Sequence, residues 1–389
     1  MRPCCAMPIE PFHLERYFAD FEFETPILLG ASDCETMSVG ELLDFDPSAR
    51  DRLERMRLGY THSNGDAELR RAIADGYADP VGPDDILVHA AGVEVITTLM
   101  LAVLEPGDRA LVQMPCYQVL RTAPMMAGAE VDRLETDPDA GWRVTADAVE
   151  EALAPDTRLV ALNSPHNPTG RVVSRADLER ISELCRERDI VLFVDEAYRG
   201  TRYDGPVDEV SAAELGPHVV TLGLVSKGLG LPGLRLGWLV CRDPGLRDEV
   251  ARAKDYTTIC APAPSEFLAT IAVRNRDAIL SATRARLRDH LELLTPALTS
   301  RPDLFDWVPP DAGPITFPTL RAEAVRAITG GEIDDGAVAE RIRTEAGVLV
   351  IPGSLFDARV PALRIGFGRA NFPEGLTRFE TWLDTVPAT

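Results

Sequence analysis

The sequence predicts an α/β protein with a mainly parallel central sheet in a large domain and a smaller α+β domain after it. From about residue 85 to 240, short apolar runs alternate with segments of helical period, the pattern of parallel strands joined by helices. After about residue 255 the alternation stops. We therefore predict a large domain over 45–260, a small domain over 261–389, and an N-terminal arm over 1–44 that packs on the small domain.

The apolar runs of the large domain predict strands, and the segments between them predict helices. In one of these helices, Ser174 and Asp177 predict a capping box at the first turn. The predicted strands are 86–90, 109–113, 158–163, 190–194, 219–222 and 236–241. Because ligands of parallel sheets bind outside the carboxyl ends of the strands, the residues after each run are the candidate site.

The region after residue 255 predicts a different mixture of elements. A long helix is expected over 265–294, stopped by Pro296. The remaining segments predict strands at 306–308, 315–318, 348–351 and 363–367 and helices at 336–346 and 374–383.

Charge and cysteine content restrict the classes of function. The formal net charge of −22 disfavours binding to nucleic acid or to anionic membranes. No apolar run approaches the ~20 residues of a membrane span, and the first residues lack the pattern of a secretory signal. Seven cysteines at 4, 5, 34, 116, 185, 241 and 260 form no metal-binding or disulfide pattern, so we expect no metal site and a cytoplasmic location.

Lysine is scarce in this chain. Lys227 and Lys254 are the two lysines among 40 basic residues. Because arginine replaces lysine at nearly every other basic position, a lysine that is present is a candidate functional residue. Two surface lysines without a function would give the same count.

Asp195 follows a buried apolar strand, where a carboxylate is costly unless it is paired with a cation or hydrogen-bonded. A protonated pyridine nitrogen would be such a partner and would keep the ring an electron sink. Tyr198 could then reach the phenolic oxygen of the same ring. The alternative for Asp195 is a helix cap.

Two further segments follow predicted strands. The segment 163–170 is a stiff Asn- and Pro-rich turn, in which Asn167 could donate its amide to a phenolate oxygen. In the glycine-rich segment 226–238, Lys227 could act as an amine nucleophile and Arg235 could bind phosphate. A turn without a ligand remains the alternative for the first segment.

Two weaker signals precede these segments. Ala91, Gly92 and Val93 lie between a strand and a helix, where free backbone N–H groups can bind phosphate. Tyr117, again after a strand, could stack on a ring or be a core aromatic.

Together these segments resemble the class I/II aminotransferases, a branch of the fold-type-I pyridoxal-phosphate-dependent enzymes. The resemblance runs from about Tyr60 to Phe367 and is carried by the order of the motifs. These are Tyr60-x5-Asp66, Ala91-Gly92-Val93, Tyr117, Asn163 with Asn167-Pro168-Thr169-Gly170, Asp195-Glu196-x-Tyr198, Ser226-Lys227, Arg235 and Arg364-Ile365-Gly366.

The resemblance implies a fold-type-I transferase with pyridoxal 5'-phosphate as cofactor and an amino acid and a 2-oxo acid as substrates. It implies that Lys227 holds the cofactor as a Schiff base and moves a proton between Cα and C4′. The other implied cofactor contacts are Asp195 at the pyridine nitrogen, Asn167 and Tyr198 at the phenolate, Tyr117 on the ring, and Ala91, Gly92, Val93, Ser226 and Arg235 around the phosphate.

For the substrate, the resemblance implies that Arg364 grips the α-carboxylate with two hydrogen bonds, together with Gly30 and Asn167. It also implies a homodimer in which Tyr60 reaches the phosphate of the neighbouring subunit.

The sequence departs from the family pattern in two places. Leu224 stands where many relatives carry a phosphate-binding Ser or Thr. The family's Gly-x-Pro-Asp-like turn is replaced by the segment around Gly30, so the substrate pocket is expected to be unusual. In that segment Asp33 and Glu35 could pair with a cationic substrate side chain or be solvated loop carboxylates.

The reaction itself stays open between two interpretations. Transamination is the main one. The alternative is a Cα-carbanion enzyme of specialised metabolism that catalyses elimination, replacement or cyclisation, because 230–235 and 254–258 are loosely similar to capreomycidine-synthase-like members. A regulatory protein without catalysis is disfavoured, because Lys227 is present and the N-terminal extension is too short and acidic for a DNA-binding module.

Overall fold

The computed structural model describes residues 9–78, 80–205 and 210–386. The strands, in chain order, are β1 (Ile27–Leu28), β2 (Ile86–His89), β3 (Arg109–Met114), β4 (Glu130–Glu135), β5 (Thr157–Asn163), β6 (Val191–Asp195), β7 (Val219–Leu224), β8 (Gly237–Cys241), β9 (Phe305–Asp306), β10 (Ile315–Thr316), β11 (Thr319–Leu320), β12 (Val348–Leu349), β13 (Ile351–Pro352) and β14 (Leu363–Gly366).

The helices follow the same order. They are α1 (His13–Phe21), α2 (Val39–Leu43), α3 (Ala49–Glu54), α4 (Ala67–Ala74), α5 (Gly92–Val103), α6 (Val119–Met126), α7 (Ala146–Ala152), α8 (Arg175–Glu187), α9 (Pro244–Asp255), α10 (Ala263–Arg274), α11 (Arg276–Thr299), α12 (Ala322–Thr329), α13 (Asp335–Arg341), which runs into a π-helical turn at Ile342–Ala346, and α14 (Phe372–Leu383).

A seven-stranded sheet forms the centre of the large part of the chain, which confirms the predicted α/β fold. Its strand order is β2-β8-β7-β6-β5-β3-β4, and neighbours from β7 to β4 are parallel. β8 is antiparallel to both of its neighbours, so β2 runs in the same direction as β7. The carboxyl ends of β2, β3, β5, β6 and β7 and the amino end of β8 therefore meet at one edge.

The six predicted strands correspond to β2, β3, β5, β6, β7 and β8, whereas β4 was missed. β4 reads Glu-Val-Asp-Arg-Leu-Glu and lies at the edge of the sheet, where its polar side chains stay partly exposed. Because an edge strand can be stable without a run of apolar residues, the apolar pattern did not reveal it.

The predicted cap at Ser174 is present, since its hydroxyl accepts a hydrogen bond from the Asp177 N–H at 3.1 Å at the start of α8.

The predicted helix over 265–294 is wrong in its bounds. Two helices, α10 and α11, meet at Asn275, whose side-chain amide and backbone N–H both donate to carbonyls of the last turn of α10. Pro296 does not stop α11. The helix continues because Leu294, Ala297 and Leu298 are buried in the C-terminal core, and that burial outweighs the one hydrogen bond that proline cannot make.

The C-terminal part contains a three-stranded antiparallel sheet in the order β10-β14-β13. The N-terminal segment joins it, because β1 pairs in parallel with β12 and Tyr17 of α1 donates to the Val350 carbonyl at 3.1 Å. The domain boundaries at 44 and 260 stay a prediction.

Two observations concern the environment of the chain. Among the described residues, no helix has both the length and the apolar character that a bilayer crossing requires. Cys34, Cys116, Cys185, Cys241 and Cys260 are free thiols. Cys4 and Cys5 lie outside the described residues.

Gly366 allows the N-terminal segment to lie against β14. Its N–H donates to the Leu29 carbonyl at 2.5 Å, and a Cβ at this position would overlap the carbonyl oxygen of Ala31. The obstacle is backbone on both sides, so a rotamer change cannot relieve it.

We predict that Gly366→Ala lowers the free energy of unfolding by about 1–3 kcal/mol, as overpacking of a rigid contact does. Gly40→Ala is the matched control, because the nearest atom to its added Cβ would be the Ser38 hydroxyl at 3.7 Å. Urea denaturation of both variants measures the difference. Equal stability of the two would contradict the proposed close contact.

Candidate active site

A cavity of about 350 Å³ opens at the carboxyl edge of the large sheet. It collects side chains from the strand ends, from α1 and from β14. Its lining includes the predicted site residues Gly92, Val93, Tyr117, Asn167, Asp195, Tyr198, Ser226, Lys227, Arg235 and Arg364. Residues that lie as far apart in sequence as Gly92 and Arg364 therefore share one cavity.

Lys227 follows β7 and is partly accessible, because its amine faces the cavity. The Nζ atom donates a hydrogen bond to the Ser32 hydroxyl at 2.8 Å. Burial lowers the pKa of Lys227, and the charge of Asp33 partly opposes that effect. The amine is therefore more easily deprotonated than an exposed lysine, as a nucleophile requires.

Asp195 is the last residue of β6 and is buried. Burial raises its pKa to about 6, although a hydrogen bond from the Ala197 N–H to Oδ1 at 2.9 Å works in the opposite direction. Within the described part of the chain, Oδ2 has no hydrogen-bond partner, and the residue faces the cavity. The carboxylate can therefore accept a cationic N–H from a ligand.

Asn167 and Arg364 fix each other's orientation. Arg364 is 1% exposed and donates from Nη1 to Asn167 Oδ1 at 2.9 Å and from Nη2 to the Gly30 carbonyl at 2.7 Å. A guanidinium can only donate, so the Asn167 oxygen must face Arg364 and its NH2 group is free to donate elsewhere.

Arg364 keeps unused donors. Its Nε is buried and has no partner among the residues described, and its other Nη hydrogens are not engaged by the two bonds above. Burial lowers the pKa of Arg364 to about 10, so the group is still a cation at neutral pH. A buried cation that has no anionic partner in the described part of the chain fits a site for a carboxylate ligand.

The two tyrosines of the cavity are protonated and hydrogen-bonded. Tyr198 donates to the Ser32 carbonyl at 3.1 Å, and Tyr117 donates to Glu15 Oε1 at 2.8 Å. Burial raises the pKa of both phenols, and in Tyr117 the charge of Glu15 raises it further. Each phenol is therefore a donor at neutral pH.

The start of α5 provides backbone donors at the same edge. Its N-cap, Ala91, has a positive φ of 87° and supplies no side-chain cap, so the first N–H groups of the helix are not satisfied by a side chain. Gly92 allows this turn to approach β7, because a Cβ there would lie 2.9 Å from Leu224 Cδ2. Arg235 and Ser226 line the cavity as well.

Three predicted site residues do not line the cavity. Ala91 is buried, and the carbonyl of Gly30 accepts a hydrogen bond from Arg364. Tyr60 is 92% exposed and lies outside the cavity of its own chain.

Sequence analysis missed Ser32, Glu15 and Glu22, all of which line the cavity. Ser32 stands where the family turn has proline, a signal that could have revealed it. Glu15 and Glu22 lie on and just after α1, and no pattern in the sequence connects that helix to the strand ends.

Asp33 and Glu35 are engaged within the chain. Asp33 accepts two hydrogen bonds from Arg369, both at 3.0 Å. Glu35 accepts one from the Ala370 N–H at 2.5 Å. Asp33 lines the cavity and Glu35 does not, so contact of Asp33 with a cationic substrate stays a prediction.

The second lysine has a structural role. Lys254 Nζ donates to the carbonyls of Ser63 and Ile259, the latter at 2.8 Å, and joins two loops. Its amine is not part of the cavity.

The residues of the cavity fit pyridoxal phosphate. Asp195 offers one unpartnered carboxylate oxygen for a pyridine N–H, Asn167 offers an amide N–H for the phenolate, and the uncapped start of α5 with Arg235 offers donors for a phosphate. Lys227 supplies the amine.

Comparison with known proteins gives the same assignment. The model of the family "Aminotransferase class I and II" matches residues 25–378. Capreomycidine synthase from Streptomyces vinaceus is 30% identical over 98% of this chain and 94% of its own length. Arginine–pyruvate transaminase AruH from Pseudomonas aeruginosa is 28% identical over 82% of this chain and 81% of its own.

A solved tetra mutant of the Thermus thermophilus aspartate aminotransferase superposes with a TM-score of 0.82 and 25% identity, covering 98% of this chain and 99% of that one. The family match spans both the sheet and the C-terminal part, which confirms the resemblance drawn from the motifs. The chain belongs to the class I and II aminotransferase family and is a pyridoxal-phosphate-dependent transferase.

Proposed function

We propose that Lys227 is the residue to which pyridoxal phosphate is attached as a Schiff base and that it moves the proton at the substrate Cα. The observation that supports this most directly is the shared cavity, in which the Lys227 amine, the Asp195 carboxylate and the Arg364 guanidinium meet at the carboxyl edge of the sheet. Among the residues that the structure describes, each of these charged groups has fewer hydrogen-bond partners than it can bind.

Pyridoxal phosphate, when bound, supplies the electron sink that makes the Cα–H bond of an amino acid acidic. Asp195 would hold the pyridine nitrogen protonated. Asn167 and Tyr198 would donate to the phenolate, and Tyr198 would exchange its bond to the Ser32 carbonyl for that contact. Arg364 would hold the α-carboxylate and so direct the Cα–H bond toward Lys227. Between proton transfers, Ser32 would hold the Lys227 amine.

The reaction proposed is transfer of the amino group from an amino acid to a 2-oxo acid. A second candidate is elimination, replacement or cyclisation at the same site, favoured by the 30% identity with capreomycidine synthase over nearly the whole chain. The two candidates differ in the fate of the amino group. Transamination transfers it to a 2-oxo acid acceptor, elimination releases it as ammonia, and replacement or cyclisation retains it in the product.

We also propose that the enzyme is a homodimer with shared active sites and works in the cytoplasm. Leu58, Tyr60, Tyr256 and Ile259 are exposed, and Lys254 connects the two loops that carry them. An exposed apolar patch of this kind fits a second copy of the chain.

The free cysteines support a reducing compartment.

The scarcity of lysine makes the attachment site directly testable. Borohydride reduction of the cofactor-loaded protein should fix one cofactor on the tryptic peptide that contains Lys227. Lys227→Ala should lose this mass, the visible absorbance of the cofactor and formation of the 2-oxo acid. Lys254→Arg is the control and should retain all three, because it keeps a cation between the loops. A label on Lys254 would contradict the proposal.

The raised pKa of Asp195 predicts a pH-dependent stability in the cofactor-free protein. Since the folded pKa of about 6 lies above its ordinary value of 3.8, the stability that neutral Asp195 contributes is lost as pH rises through about 6. Between pH 4 and 8 the loss should be on the order of 3 kcal/mol larger in the wild type than in Asp195→Asn. Urea denaturation across this range measures it, and parallel curves would contradict it.

Shared sites predict complementation between inactive variants. Lys227→Ala and Tyr60→Ala homodimers should each have little activity. After unfolding and refolding of an equal mixture, half the dimers should be mixed, each with one intact site, which restores roughly a quarter of native activity. Activity that stays at the average of the two variants would exclude sites shared through Tyr60.

A further inference from the structure

Helix α1 covers the cavity with two acidic side chains that the proposed reaction does not use. Leu14, Glu15, Phe18 and Glu22 line the cavity from one face of this helix and its C-terminal cap. Among the residues described, Glu15 Oε2 and both carboxylate oxygens of Glu22 have no hydrogen-bond partner.

The position of α1 is fixed from two sides. Tyr117 donates to Glu15 Oε1 at 2.8 Å, and the Tyr117 ring lies 5.2 Å from that of Phe12. On the other side Tyr17 donates to the Val350 carbonyl at 3.1 Å. Glu15 is therefore held at the cavity wall rather than free to turn into solvent.

The charges of the cavity do not balance once the proposed roles are assigned. Asp33 is paired with Arg369. Arg235 would pair with the cofactor phosphate, Asp195 would pair with the pyridine nitrogen, and Lys227 would be bound to the cofactor. Arg364 pairs with the substrate carboxylate, for which it keeps an unpartnered, buried Nε. Burial raises the pKa of Glu22 and the charge of nearby Arg369 opposes that effect, so this carboxylate is partly compensated. Glu15 has no ion-pair partner among the described residues.

The cavity that these carboxylates line also contains apolar side chains. Leu14 and Ile96 are buried side chains of the lining, and Phe18 is partly buried there. A side chain with several methylene groups and a terminal cation matches this combination, because its stem can cover apolar surface while its head meets a carboxylate. A short acidic side chain would instead be repelled.

We propose that Glu15, assisted by Glu22, is a specificity-determining residue that selects amino-acid substrates whose side chain ends in a guanidinium or ammonium group. This inference rests on the proposed function, because it assigns the α-carboxylate to Arg364. Similarity alone does not choose the substrate, since the relatives compared above include both an arginine and an aspartate enzyme.

The first test measures binding without reaction. 5-Guanidinopentanoate is arginine without its α-amino group, so it cannot react with the cofactor. Hexanoate has the same carboxylate and a chain without a cation, so it is the comparison ligand. Calorimetry on the cofactor-loaded enzyme should give a Kd about 10- to 100-fold lower for the guanidino acid, the range expected for a charged hydrogen bond. Glu15→Gln retains an acceptor for Tyr117 and should remove most of that difference, with hexanoate unchanged.

The second test measures selection during reaction. The change in cofactor absorbance is followed after mixing with arginine, ornithine, norleucine or aspartate. Glu15→Gln and Glu22→Gln should lower the rate at subsaturating arginine or ornithine and leave norleucine unchanged. Glu24→Gln is the matched control, because Glu24 is exposed on the same segment and outside the cavity.

The outcomes separate this inference from the proposed function. If Lys227 carries the cofactor and norleucine or aspartate reacts as well as arginine in the wild type, the inference is wrong and the proposed function stands. An equal loss for all donors in both glutamate variants would also overturn it, since that reports damage to the helix. If Lys227 does not carry the cofactor, the proposed function itself fails.

Discussion

The chemistry of the active site depends on charged groups that are buried at one edge of the sheet and are incompletely paired among the described residues. Asp195, Lys227 and Arg364 approach the same cavity from β6, from the turn after β7 and from β14. Burial raises the pKa of Asp195 and lowers the pKa of Lys227 and Arg364, so it favours the neutral form of each group. These shifts indicate that water has been removed from the charges without full replacement by protein partners. Such an arrangement costs stability in the absence of a ligand, and a ligand with the complementary charges recovers it.

The topology of the sheet explains how this edge acquires so many functional groups. β8 enters the sheet antiparallel between β2 and β7, so its amino end, which carries Arg235, lies beside the carboxyl ends of its neighbours. Gly237 makes this possible at close range, because a Cβ there would lie 3.3 Å from Gly92 N at the start of α5. The negative net charge of the whole chain does not prevent anion binding here, since oriented N–H groups and one guanidinium act over a much shorter range.

The sequence revealed the part of the site that the large sheet builds. Asp195, Asn167 and Lys227 each follow an apolar run, and the rule that ligands bind at carboxyl ends was enough to group them. The N-terminal contribution could not be predicted in this way. Ser32 enters the cavity because the segment after β1 packs against β14, and Glu15 enters it because α1 is hydrogen-bonded to Val350 and Tyr117. Both are long-range contacts without a local pattern. The bounds of α10 and α11 failed for a related reason, since the burial that carries α11 past Pro296 is tertiary.

The N-terminal segment joins substrate recognition to the stability of the fold. The carbonyl of Gly30 holds Arg364, the hydroxyl of Ser32 holds Lys227, and the carbonyl of Ser32 holds Tyr198. One short stretch of chain therefore positions three of the groups assigned to chemistry. Because that stretch is fixed by its contact with Gly366, any change that loosens it must alter the cavity and the C-terminal sheet together. Glu15 is positioned differently, through Tyr117 and α1, so the side-chain end of the substrate site can vary while the catalytic end stays in place.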